Sequence, residues 1–462
     1  VDLDNDGDRE IFITNFQSKN TLLWNNNEGY VDVSQQAGIS INAYSSFSAS
    51  FGDFNLDGYL DIYVVNRGTI NDPQHNSLYR NNGDGTFEDV AFLAGVSNTV
   101  GAGLATSFLD YNNDSWPDLY IANDKYTGNV LYENQGDGTF QDVSSDSGTD
   151  LDMDGMSVTL ADYNDDGYLD IYVTNTVVGG NKFLVSNGDL TYDEVAEELD
   201  VVTNKLCWGS QFVDFDGDMD EDLFVPSFSP DFDNMNTFYL RDQNQLIDWS
   251  EELLEADFSE SMGSAKADFD HDGDYDLAVL NTEVEGSYLL ENESDPVNYV
   301  KFCLEGTASN YEGIGTWIEV HAGGVVQRRY TTLGSNFAGQ DSRYHIFGLG
   351  ENDSIDLIRI TWPSGIIQEV LDQEINMTIC FQEPTPTDIR EAHNELSLWP
   401  NPAQNYLVLE AVRGDYSIRD CSGRIVQHGQ VESRRIEISA LSDGIYVLVI
   451  GQVAQRFLKR GK

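Results

Sequence analysis

The chain has 462 residues, with 80 acidic against 24 basic side chains and a formal net charge of −56. A field of that sign repels nucleic acid and anionic membranes, argues against both as partners, and attracts cations. Four cysteines are too few for a disulfide scaffold, no apolar run approaches the roughly twenty residues of a transmembrane helix, and 40% hydrophobic content allows several filled cores.

From the first residues onward one nine-residue loop is written six times, with an acidic or amide side chain at positions 1, 3, 5 and 9 and usually glycine at 6. The first copy offers Asp2, Asp4, Asp6 and Glu10, the second Asp53, Asn55, Asp57 and Asp61, and the third Asp110, Asn112, Asp114 and Asp118. The fourth offers Asp162, Asn164, Asp166 and Asp170, the fifth Asp214, Asp216, Asp218 and Asp222, and the sixth Asp268, Asp270, Asp272 and Asp276. Their starts lie 51, 57, 52, 52 and 54 residues apart. Oxygens at alternate positions of a tight loop can wrap a hard cation that takes six to eight oxygen ligands, so about six structural calcium sites are expected. An EF-hand would need Glu at position 12, where Ile13 and Val64 stand instead. The competing reading is that Asp, Asn and Gly simply make good turns. The carboxylate kept at position 9 favours metal, on the premise that a turn has no use for it. Ser115 and Met219 replace the glycine in the third and fifth loops, leaving their geometry open. A further run, DLDMDG from Asp150, has Val158 at position 9 and reads as a decoy.

Each loop is followed by β-branched and aromatic residues, as at 62–65, 119–122 and 171–174, and preceded by another strand pattern, as at 48–52 and 104–109. Between loops recur strand, Asn/Gly/Asp turn and strand, in SLYRNNGDGTFEDV from Ser77 and VLYENQGDGTFQDV from Val130. Four short strands in about fifty residues predict a propeller blade, and the chain as a whole an all-β fold.

These repeats resemble the FG-GAP/VCBS type found in integrin α-chain propellers and bacterial relatives, over residues 1–297. The resemblance implies a calcium-loop β-propeller, expected as seven-bladed with its N-terminus truncated, because Val1 directly precedes a loop. Residues 298–383 predict a separate small β-domain with strands near 299–304, 317–321 and 357–362. Its motifs GTASNYEGIG from Gly306, FGLG from Phe347 and WPSG from Trp362 resemble the ASPIC/UnbV module. Asn310, Trp362 and Gly365 are read as turn and core residues rather than ligand contacts. Cys303 and Cys380 are either a disulfide or two buried thiols. Residues 384–395, PTPTDIREAHNE, form a linker. Residues 396–462 predict a second small sandwich, and WPNP from Trp399, DCSGR from Asp420, GIY from Gly444 and the basic end resemble a type IX secretion system type A sorting domain. That resemblance implies engagement with the type IX machinery and export to the outer surface or medium of a Bacteroidota bacterium.

Charge divides in the same way: residues 384–462 hold 9 acidic and 10 basic side chains, so residues 1–383 carry a formal −57. The six histidines are dispersed without a metal or proton-transfer spacing. The expected function is a non-catalytic adhesion or binding scaffold for an extracellular glycan or protein, with loops 69–75 and 227–236 as candidate contacts. The alternative is a calcium-dependent polysaccharide lyase or hydrolase, which a convergent Arg, Lys, Tyr or His cluster on one propeller face would favour.

Overall fold

The computed structural model describes residues 1–385 except 27, 40–41, 70, 126, 204, 229–235, 243, 254–259, 283–285, 295–296, 338 and 372, and then 398–399, 406–409, 415–419, 424–430, 435–442, 444–450 and 453–459. Most of the expected contact loop 227–236 and of the linker 384–395 lies outside the described residues. Among the described residues, three short helical turns, Ala91–Ala94, Ser144–Ser147 and Ser250–Leu253, accompany regular structure that is otherwise strand.

Six blade sheets follow the six loops. The first has strands Ile11–Ile13, Thr21–Asn25 and Tyr30–Asp32. The second runs Ser46–Gly52, Asp61–Asn66, Ser77–Asn81 and Phe87–Asp89, and the third Gly103–Leu109, Asp118–Asn123, Val130–Asn134 and Phe140–Asp142. The fourth has Val158–Ala161, Asp170–Val173, Lys182–Ser186 and Tyr192–Glu194, and the fifth Gln211–Val213, Asp222–Val225, Thr237–Asp242 and Gln245–Asp248. The sixth has Ser261–Ala267, Asp276–Asn281 and Tyr288–Leu290. Within each sheet the strands are antiparallel neighbours in chain order, and from the second blade on the acidic loop joins the first strand to the second.

The cores lie between neighbouring blades. Tyr63 and Val65 of the second blade pack with Phe108, Leu119 and Ile121 of the third, and Leu109 and Tyr120 of the third pack with Val158, Ile171 and Leu184 of the fourth. A second strand is therefore covered on both faces, so DIYVVN and DLYIAN are buried at every residue and read as nearly continuous apolar runs. The first strands of the second to sixth blades lie side by side in succession and line the centre of the repeat region.

Residues 298–383, expected as a separate domain, have their own sheets but belong to one compact unit with the blades, Val1–Glu383. One sheet orders His345–Gly350, Asn298–Glu305 and Thr378–Gln382; the other orders Val325–Tyr330, Trp317–Ala322, Leu357–Thr361 and Ile367–Val370. Between them pack Val300, Phe302, Ile318, Val320, Ile358, Ile360 and Trp362, joined by Met219 from the fifth acidic loop. Cys303 and Cys380 face each other on parallel neighbouring strands, with Cα atoms 4.4 Å apart, and are bridged. The motif residues have structural roles. The Asn310 side chain bonds both backbone groups of Ile314, Trp362 is 1% exposed, and Gly365 closes a turn at φ +81°. Glu383 holds the first motif to the last, its carboxylate accepting the N–H groups of Thr307, Ala308 and Ser309 at 2.7–2.8 Å and the Ser364 hydroxyl.

The second unit, Pro384–Lys462, contains a three-stranded and a four-stranded sheet, with Leu407, Ile418, Ile436 and Leu448 buried.

Candidate metal centres

All six loops share two left-handed backbone positions. Position 4 is left-handed in each, from Leu56 at φ 54° to Gly217 at φ 69°, and so is position 6, from Ser115 at φ 74° to Gly273 at φ 106°. Ser115 and Met219 thus adopt the turn that glycine makes elsewhere, at the steric cost a side chain carries there. The run from Asp150 is different: it precedes the first strand of the fourth blade and pairs through Asp154 with Asp124, so it is not a seventh copy.

The first carboxylate organises the turn. In the second, third and fourth loops it accepts the N–H groups of positions 5 and 6, as in Asp53 with Asp57 at 3.0 Å and Gly58 at 2.8 Å. Position 9 corrects an expectation, because the fold does use its oxygens. Asp61 accepts the N–H of Phe54 at 3.1 Å and of Asn81 on the third strand at 2.8 Å. Asp118, Asp170, Asp222, Asp276 and Glu10 make the equivalent pair of bonds. Retention of that carboxylate is therefore not in itself a metal signal, although each oxygen keeps a further lone pair.

The stronger signal is what remains unsatisfied. Asp2 Oδ1, Asp4 Oδ1, Asn55 Oδ1, Asp214 Oδ1 and Asp268 Oδ1 are buried without a hydrogen-bond partner, a costly condition unless a cation meets them. Carboxylate atoms of Asp2, Asp4 and Asp6, of Asp214, Asp216 and Asp218, and of Asp268, Asp270 and Asp276 lie within 4.8 Å of one another and can hold a metal ion. The other three loops carry Asn at position 3, which supplies a neutral oxygen instead. The clustered loops also have an acid at position 7, namely Asp8, Asp220 and Asp274. The last two have a buried, unpartnered oxygen, and sequence reading passed them over although their place in the pattern was visible.

Burial, reinforced by neighbouring carboxylates, pushes the first-position groups up: Asp2 and Asp110 to about 6, Asp53 and Asp162 to about 7, and Asp214 to about 8. Burial likewise raises Asp61, Asp118, Asp170 and Asp222 well above the carboxylate range. Such a site resists full ionisation by itself, and a divalent cation is the kind of ligand that reverses the balance.

The 298–383 segment covers these loops. Tyr311 N–H donates to Asn5 Oδ1 at 2.8 Å, Arg328 Nη1 to the Asp165 carbonyl at 2.7 Å, and Gly350 N–H to the Gly217 carbonyl at 2.9 Å, each time reaching position 4. Lys301 Nζ, almost fully buried, lies 2.7 Å from Asp268 Oδ2. Residues 331–337 and 339–344 lie across the centre of the repeat region. Phe51 N–H donates to the Leu333 carbonyl, and Asn336 bonds Val158, Ser210 and Ser264, on or beside the first strands of the fourth to sixth blades.

Acidic loops between first and second blade strands, capped by a small β-module and followed by a β-rich tail, define a propeller-type repeat protein with an appended surface module. The chain carries FG-GAP-like repeats: that model matches residues 2–64, 65–121, 110–173 and 162–225. The ASPIC and UnbV model matches 306–388, and the secretion system C-terminal sorting domain matches 397–460, which implies export or an outer-surface location. Cartilage acidic protein 1 of Xenopus tropicalis is 26% identical over 84% of this chain and 65% of its own length; that of Homo sapiens is 25% identical over 84% and 63%. The chain therefore spans less than two thirds of these relatives. Among solved structures, PorZ, an essential bacterial surface component of the type IX secretion system of Porphyromonas gingivalis, is 12% identical over 96% of this chain and 56% of its own, with a TM-score of 0.37. A likeness that loose carries no argument. No helix among the described residues is long and apolar enough to cross a membrane.

Proposed function

We propose that this chain is an exported calcium-binding propeller of a Bacteroidota cell surface, acting without catalysis as a scaffold that binds an extracellular glycan or protein. The observation carrying the calcium reading is the set of buried, unpartnered oxygens at positions 1 and 3, supported by the three close carboxylate clusters. Hard oxygen donors in a loop with modest rigidity suit calcium at the 10⁻⁴ to 10⁻³ M affinities of extracellular modules. Calcium stiffens each loop, the loops seat residues 298–383, and the remaining blade surface is available for a partner. The sorting domain supports recognition by the type IX machinery.

Incubating the full chain with neutral and acidic polysaccharides, with and without calcium, tests the absence of catalysis. Retention of a polysaccharide with no new reducing or unsaturated ends supports the scaffold. Calcium-dependent appearance of such ends would make the chain a polysaccharide-active enzyme.

A further inference from the structure

Between the blade centre and the covering module lies a cavity of about 70 Å³, with an adjoining pocket of about 30 Å³ that shares Thr332, Ser335, Asp341, Ser342 and His345. The larger space is walled by the first strands of the fourth to sixth blades, through Leu160, Phe212 and Lys266, and by Arg329 of the covering module; Arg343 lines the smaller one, and Ser342 and His345 stand between them, lining both. Lys266, Arg329 and Arg343 are notable in a segment that carries 71 acidic against 14 basic side chains, while burial and these cations hold the His345 imidazole neutral, with its pKa lowered to about 4. The wall acids are already engaged. Glu221 pairs with Arg329 at 2.9 Å, and Asp341 accepts the Gln211 amide at 2.8 Å and the Lys266 backbone N–H at 3.0 Å.

The donors are not. The Lys266 ammonium makes one hydrogen bond, to the Phe212 carbonyl at 2.6 Å, and Arg343 makes one long bond, to the Leu304 carbonyl at 3.4 Å. Neither forms an ion pair among the described residues, and the His345 ring has no hydrogen-bond partner there. An ammonium can donate three bonds and a guanidinium five, so these groups call for acceptors from a ligand. At about 10–15 Å³ per water centre, the two spaces together take roughly seven to ten atoms of that size. A single negative charge suits the place better than two, since Asp162, Glu221 and Asp341 also face the cavity.

We infer that this cavity binds a small monocarboxylate, either a short organic acid or the carboxylate end of an acidic sugar, between Lys266 and Arg343. Charge-assisted bonds from an ammonium and a guanidinium fix the carboxylate, and the imidazole and Ser342 sit beside it.

Calorimetric titration of the calcium-saturated full chain with acetate, D-glucuronate, glucose and inorganic phosphate tests the assignment. Saturable uptake of acetate alone identifies a short acid as ligand, and uptake of glucuronate identifies an acidic sugar. Lys266→Gln and Arg343→Gln are each expected to weaken that uptake at least about tenfold, while Arg80→Gln, at a residue that pairs with Glu88 and lines neither space, leaves it unchanged. Should Lys266→Gln fail to fold, Arg343→Gln decides, because its side chain is half-exposed and weakly bonded. No uptake of either carboxylate, equal uptake of glucose, tighter uptake of phosphate, or unchanged binding in the variants would overturn the inference.

Discussion

Two carboxylates of one loop separate fold from metal at the level of single residues. Asp61 is fully buried and ties the loop to the third strand, whereas Asp57 is exposed and accepts only the Asn55 amide and the Tyr59 N–H. Asp61→Ala leaves two buried N–H groups unpaired and is expected to cost roughly 2–5 kcal/mol with or without calcium. Asp57→Ala is expected to leave calcium-free stability nearly unchanged and to remove one calcium per chain. Denaturant unfolding in both conditions checks the pair; identical behaviour of the two variants would contradict the division. The raised first-position groups fix a pH dependence as well. Between the free Asp value of about 3.9 and their folded values of about 6 to 8, the folded state holds more protons than the unfolded state. Calcium-free stability therefore falls as pH rises through that window, whereas the increment added by calcium grows because the ion displaces the protons. Melts from pH 5 to pH 8, with and without calcium, should diverge; parallel curves would sink the assignment.

At the level of elements, Asn336 and Glu383 show how short segments clamp larger ones. Asn336, at φ 77°, bonds Val158 through its backbone N–H and Ser210 and Ser264 through its amide, tying three blades to the crossing segment. Asn336→Gly keeps the left-handed turn but loses the side-chain bonds, so a loss of about 2–4 kcal/mol is expected by thermal or denaturant unfolding. Burial works against the Glu383 carboxylate, but bonds from the Ser309, Thr307 and Ala308 N–H groups and the Ser364 hydroxyl hold its pKa below the ordinary value. Its stabilising effect is present above the unfolded pKa and is lost as pH falls through the folded one. Glu383→Gln should accordingly destabilise at neutral pH and matter little in acid. The blades themselves were legible, because loop spacing, period-two patterning and turn residues are local. The clamps were not: the long-range partners of the Asn336 and Lys301 side chains lie 33 to 179 residues away, with no periodic signal to mark them. The use of position 9 was hidden for a related reason, since its partners are backbone N–H groups that leave no mark on composition.

Across the whole unit, acidic loops and covering module are in direct contact. The covering segment touches position 4 of the first, fourth and fifth loops and a carboxylate of the sixth, so loop order and module seating are coupled. Removing calcium is expected to open protease sites in residues 298–383 as well as in the blades, while the sorting domain, a separate compact unit, keeps its cleavage pattern. Sequence placed the module after the repeats but gave no sign that it lies over their acidic loops, because the contacting groups are backbone carbonyls and scattered polar residues. Calorimetric titration of calcium into stripped full-length chain, paired with thermal melts, tests the central proposal most directly. About six sites per chain with a large rise in melting temperature are expected; no saturable uptake, or uptake without stabilisation, would contradict calcium as the element that orders the loops.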